Sequence, residues 1–263
     1  MEIFLLYFFI GMVASTLGAM AGLGGGVIIK PVLDVFGHFD LATIGVLSAA
    51  TVFAMAATSL IKIRKKKFEL DKKNSLLIAI GSIIGGFVGK AIFNFVILQL
   101  KLSATIGAFQ STLLAVILLC IYLFIKNKNH IKTYQVESNT IIFTAGFVLG
   151  LLSAFLGIGG GPLNVAILTL LFSMNARNAS FNSLFIIFFS QLSSLLLVLF
   201  TTDIREYDLS MLVYMIVGGI LGGIVGSNLV MKYTNKTISK IFNITILLVL
   251  LINIFNIFKF IMF

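Results

Sequence analysis

Two glycine clusters, Gly22-Leu23-Gly24-Gly25-Gly26 and Gly157-Ile158-Gly159-Gly160-Gly161, are the residues of this sequence best placed to do chemistry. Each interrupts an apolar run longer than one membrane crossing, 3–36 and 140–172. Glycine has no Cβ and accepts positive φ, so it breaks a helix and permits a tight turn. Unwound backbone inside hydrocarbon must find partners or line a cavity. Matching breaks in two halves of a chain point to a transporter's binding site. Pro162, directly after the second cluster, suits the first turn of a fresh helix; Lys30-Pro31 holds a similar place after the first. A new helix N-terminus offers free N–H groups and the positive end of the helix dipole, which together suit an anion. The expected chemistry is the binding of a small anion by backbone N–H groups at Gly24, Gly25 and Gly26 and at Gly159, Gly160 and Gly161. Close helix packing is the simpler use of glycine, and duplication of the clusters inside over-long segments argues against it here.

Side chains near the clusters could add to such a site. Lys30 lies four residues past Gly26, and an ionisable residue within a membrane segment marks a functional site by default. The competing reading is snorkelling of its ammonium toward the interface. The second half has Val165 at the corresponding place. Ser48 and Ser183 correspond at an offset of 135 residues, and Asn164 follows Pro162 by two. These three could hydrogen-bond an oxyanion. Thr51, Gln110, Asn182 and Gln191 are further polar groups in apolar stretches, better read as interhelical hydrogen bonds. Lys90 lies near the outer end of its span, so snorkelling is expected. Asp34, Asp40, Asp203, Glu206 and Asp208 are placed at the outer side, none of them buried, so no carboxylate proton relay is read. The coupling ion, proton or sodium, stays open.

Other chemistries are poorly supplied. The single Cys120 cannot form a disulfide or a thiolate metal site, and His38 and His130 both fall in polar loops. No metal site, cofactor or enzymatic nucleophile and base is read. Gly22–Val27 does not complete a dinucleotide-binding GxGxxG, and Gly89-Lys90 lacks the rest of a P-loop.

The elements that position these residues follow from composition. Hydrophobic residues make up 59% of the 263, charged residues only 11%, and mean hydropathy is +1.13. A soluble domain is about one quarter charged; this chain has too few charges for a soluble surface. Its net charge of +10 sits in short loops between apolar spans, which reads as topology rather than nucleic-acid binding. The expected spans are 3–36, 41–61, 74–95, 102–125, 140–172, 179–200, 210–231 and 241–261, with the first a retained segment rather than a signal peptide.

The chain also repeats itself. Gly81-Ser82-Ile83-Ile84-Gly85-Gly86-Phe87-Val88-Gly89 matches Gly218-Gly219-Ile220-Leu221-Gly222-Gly223-Ile224-Val225-Gly226 at an offset of 137. Four-residue glycine spacing favours close helix contact. Two membrane repeats are expected, 1–127 and 138–263, joined by a polar cytoplasmic linker at 128–137. If each long segment enters, breaks at its glycines and returns, 14 Lys and Arg fall on one side of the membrane and 3 on the other. Straight crossing gives only 12 against 5. The positive-inside rule prefers the first. The fold class expected is therefore an all-α polytopic membrane protein of two inverted repeats. Each repeat has a glycine-broken re-entrant helical hairpin plus three transmembrane helices, and both termini are extracytoplasmic. The run Lys62, Arg64, Lys65, Lys66 and Lys67 reads as a cytoplasmic topology determinant near anionic lipid.

The paired motifs Gly22–Gly26 with Pro31 and Gly157–Pro162, the duplicated GGxxG stretches and the length together resemble the TauE/SafE family of sulfite and organosulfonate exporters. The resemblance covers essentially the whole chain. It implies a multi-pass permease of the bacterial inner membrane for small sulfur-containing anions, and it implies export. Another small anion such as a carboxylate, or channel-like flow, is the alternative. A scaffold would have little use for duplicated glycine breaks.

Overall fold

A computed structural model describes residues 2–64, 72–96, 103–201 and 203–262. Among these are ten α-helices: α1 (Glu2–Ala21), α2 (Gly26–Phe36), α3 (Leu41–Arg64), α4 (Lys72–Asn94), α5 (Ser103–Lys126), α6 (Asn139–Leu156), α7 (Gly161–Phe172), α8 (Ala176–Thr201), α9 (Leu212–Lys232) and α10 (Asn235–Met262). Helices are what apolar runs must form in lipid, because each satisfies its own backbone. Eight are long and apolar enough to cross a membrane. The other two, α2 and α7, have 11 and 12 residues. At a rise of about 1.5 Å per residue they reach roughly half the ~30 Å hydrocarbon thickness. The protein is thus an all-helical polytopic membrane protein, as composition requires. Lys65, Lys66, Lys67 and Lys101 lie outside the described residues.

Both long segments break at their glycines and fold back. Gly22 and Gly24 have φ of 69° and 66°; Gly157, Gly159 and Gly160 have 67°, 76° and 72°. After the first break, Gly24 N–H donates to the carbonyl of Gly18 (3.3 Å), and the Tyr7 hydroxyl meets His38 Nδ1 at 2.7 Å. Residue 38 therefore lies beside residue 7, and α2 runs antiparallel to α1. At the second hairpin, Tyr134 and Val136 N–H donate to the carbonyls of Leu170 and Leu171, at 2.7 and 2.9 Å. The end of α7 thus returns to the segment that leads into α6.

The two halves interlock. Helix α4 packs against α6, and α9 packs against α1. Gly81, Gly85 and Gly89 of α4 abut the backbone of Phe143, Phe147 and Leu151 in α6; Gly218, Gly222 and Gly226 of α9 abut Phe8, Met12 and Thr16 in α1. At all six a Cβ would fall inside van der Waals distance of a carbonyl oxygen. The stripes are seams for backbone-to-backbone approach, as small-residue stripes in membranes usually are. Each half thereby clamps the hairpin of the other. The α3–α8 and α5–α10 contacts complete the bundle.

Candidate functional site

The tips of the two hairpins meet. A Cβ on Gly161 would collide with the backbone of Leu23, and one on Gly26 would lie 2.6 Å from the Ile158 carbonyl oxygen. The first turns of α2 and α7 are thus brought together, each starting at its own glycine break. In α2 the Gly25 carbonyl accepts from Ile28 and Ile29 N–H, and in α7 the Gly160 carbonyl accepts from Asn164 N–H, at 3.0, 2.8 and 2.9 Å. The first-turn N–H groups of Gly26, Val27, Gly161 and Leu163 have no helical acceptor, as at any helix start. Both N-termini direct positive partial charge at one place.

The side chains expected to assist fall into two groups. Ser48 lies at the tip, its Oγ 3.0 Å from a Cβ position on Gly26, and makes no hydrogen bond among the described residues. Asn164 is buried at the start of α7, with Oδ1 3.5 Å from the corresponding position on Gly160. Gln191 approaches Gly159 through Nε2 at 3.5 Å. These three keep polar capacity free. Ser183 does not: its hydroxyl donates to the Gly22 carbonyl at 2.6 Å, tying α8 to the first break. Thr51 donates to Leu47 O, Asn182 bonds Asn178 O and Ser75, and Gln110 donates to Phe155 O. For those three the structural role is the one observed.

Sequence reasoning passed over two hydroxyls. Ser15 and Ser153 are fully buried, and neither Oγ has a hydrogen-bond partner among the described residues. Ser15 Oγ lies 3.2 Å from a Cβ position on Gly25, and Ser153 Oγ 3.0 Å from that on Gly160. At the 135-residue register of the breaks Ser15 aligns with Gly150 and Ser153 with Gly18, so the sequence carries no signal that would have found them.

The charged residues depart from expectation. Lys30 is buried and pairs with Asp34, Nζ to Oδ2 at 3.1 Å, the one ion pair among the described residues. Asp34 was expected at the outer side and unburied; it is 4% exposed. An i, i+4 spacing on α2 puts both groups on one face, and both are buried while the backbone of α2 is held by α10. There the Asn256 amide donates to Pro31 O at 2.9 Å, and Lys259 Nζ donates to Asp34 O at 2.9 Å and Val35 O at 3.0 Å. The alkyl stem of Lys30 passes 3.3 Å from a Cβ position on Gly157, so it also touches the second break. Lys90 was expected to snorkel, and it is 4% exposed. Its Nζ stacks on the Phe93 ring, 4.6 Å from the centroid, and sits 3.4 Å from a Cβ position on Gly45 of α3. Lys90 is thus held inside the bundle, beside the first turns of α3.

A family model and one relative match this chain along nearly its whole length, and two further relatives match about three fifths of it. A family model described as sulfite exporter TauE/SafE matches residues 7–253. A protein of Bacillus subtilis named probable membrane transporter protein YunE is 29% identical, covering 94% of this chain and 95% of its own. A probable membrane transporter protein of Haemophilus influenzae is 26% identical over 58% of this chain and 56% of its own. One from Methanocaldococcus jannaschii is 27% identical over 61% and 60%.

Proposed function

The chain belongs to the TauE/SafE sulfite exporter family, and from that premise we propose that it carries a small sulfur-containing anion, sulfite or an organosulfonate, outward across a bacterial plasma membrane. The observation that carries the reading is the meeting of two helix N-termini at paired glycine breaks, with the buried hydroxyls of Ser15 and Ser153, unpartnered among the described residues, beside them. Sulfite and sulfonate present three oxygens around one sulfur. Converging N–H and O–H donors suit that shape, and such donors strengthen in a water-poor site.

The substrate is held by N–H groups at Gly24–Gly26 and Gly159–Gly161, with Ser48 and Asn164 as side-chain donors. Ser183 acts indirectly, by fixing the carbonyl of Gly22. Lys30, paired with Asp34, borders the site through its alkyl stem beside Gly157. The two halves are inverted repeats with both termini outside, so the site can open to one face and then the other as the hairpins exchange positions.

The test is uptake into proteoliposomes of purified protein with labelled sulfite, taurine and acetate, with and without imposed proton or sodium gradients. Saturable flux of a sulfur anion that acetate does not compete away supports the proposal. Flux of acetate with no preference for sulfur anions replaces it with a general carboxylate permease. No flux of any of them sinks the transport reading.

A further inference from the structure

Resting on the transport reading, we propose that Lys90, rather than Lys30, supplies the charge that the substrate neutralises, and that the site accordingly takes an anion carrying one negative charge. The inference comes from counting charges around the tips. Lys30 is already balanced by Asp34 at 3.1 Å. Asp40 is exposed, and its carboxylate is taken up by the start of α3, accepting from Ala42 N–H, Thr43 N–H and the Thr43 hydroxyl at 2.8, 2.9 and 2.7 Å. Lys259 is half-buried and spends its ammonium on the last carbonyls of α2. Lys90 remains. It is buried and has no carboxylate or other hydrogen-bond acceptor among the described residues, only the Phe93 ring.

Its position is also right. Gly45, which its Nζ approaches, precedes Ser48 by one turn of α3, and Ser48 borders Gly26 at the tip contact. Two charges act on Lys90, that of Lys30 with like sign and that of the exposed Asp40 with opposite sign. The repeat counterpart of Lys90 is Ser227, whose hydroxyl is consumed by the Gly223 carbonyl at 2.6 Å, so the second half adds no charge. Hydrogen bonds to the backbone leave Asp40 and Lys259 charged, so the set Lys30, Lys90, Lys259, Asp34 and Asp40 carries one net positive charge. Uncompensated charge in a membrane interior is costly. A monoanion brings the set to zero, whereas a dianion leaves one negative charge over.

The experiment is isothermal titration of the purified full chain with methanesulfonate, a permanent monoanion, and with 1,2-ethanedisulfonate and sulfate, dianions near neutral pH. Wild type should bind methanesulfonate in preference to both. Lys90→Gln should weaken methanesulfonate on the order of 100-fold, the size of effect seen when one partner of a buried charge pair is removed, and Lys90→Arg should retain most of the binding. Asp34→Asn raises the net charge by one and should shift preference toward the dianions, which keeps the idea testable if Lys90→Gln fails to fold. Unchanged methanesulfonate affinity in folded Lys90→Gln overturns the inference and leaves the transport reading standing. So does a wild-type preference for dianions. Wild type that binds no sulfur anion at all overturns both.

Discussion

The two hairpins have one backbone plan and opposite chemical character. In α1–α2, the helix after the break carries Lys30 and Asp34, buried and paired. In α6–α7, the positions 135 residues on are Val165 and Thr169, buried and uncharged. The breaks themselves match, as do the flanking hydroxyls Ser15 and Ser153 and the close approaches of Gly26 and Gly161. The difference teaches that symmetry is kept where backbone geometry makes the site and abandoned where side-chain charge is added. A buried ion pair is a weak stabiliser, and its presence on one hairpin alone gives the two tips different charge surroundings.

The comparison can be broken at its largest shared feature first. Gly161→Ala puts a methyl group into the backbone of Leu23, which has no side chain to swing away. The cost should be about 3 kcal/mol, at the upper end for overpacking, read as a lower melting temperature in detergent. Gly24→Ala meets only the flexible end of Ile187 at 3.1 Å, and its penalty is the φ of +66°. That should cost about 1–2 kcal/mol.

A comparable effect tests the asymmetry. Lys30→Met strands a buried carboxylate and should cost about 3 kcal/mol or more, while Lys30→Met with Asp34→Leu should recover most of the loss. Val165→Ala, at the matching place on α7, removes two methyl groups and should cost about 1–2 kcal/mol. Equal losses for Lys30→Met and Val165→Ala would erase the distinction between the hairpins.

Smaller effects separate positioning from contact. Ser183→Ala removes the donor to Gly22 O and should cost about 1–2 kcal/mol of thermal stability. Ser48→Ala breaks no hydrogen bond among the described residues, so stability should hold while anion affinity falls. The smallest stability change is expected for Ser15→Ala and Ser153→Ala, within about 0.5 kcal/mol because neither hydroxyl is paired. Titration with methanesulfonate should nonetheless show weaker binding in both, by similar factors. A large difference between the two would argue that the anion sits against one tip only.

Much of this architecture is legible from residues alone. The long apolar segments end within a few residues of the helices they become, because hydrophobic length is set by the bilayer. The glycine clusters mark the breaks because only glycine takes positive φ there without strain. Charge placement was harder to read. Asp34 looks exposed when it is counted with the acids of the outer loops, and only the i, i+4 relation to Lys30 hints that it is buried with its partner. Lys90 reads as a snorkelling lysine until the fold places it inside the bundle, beside the first turns of α3. Ser15 and Ser153 are unremarkable serines in apolar helices; what distinguishes them is a missing hydrogen bond, which no sequence displays. The cross-clamping of halves is likewise invisible, since a glycine stripe names its own helix face and not the partner that will cover it.

That cross-clamping has a consequence for how the chain is made. Gly11 of α1 rests on the backbone of Met215 in α9, more than 200 residues later. A hairpin with unwound backbone has no stable home in lipid by itself. The first hairpin therefore emerges from the ribosome long before its cover exists, and its broken tip must be sheltered by the insertion machinery while four more helices and the second hairpin are threaded. Chains stopped anywhere before α9 are left with an open seam along α1, and membrane quality control should clear them.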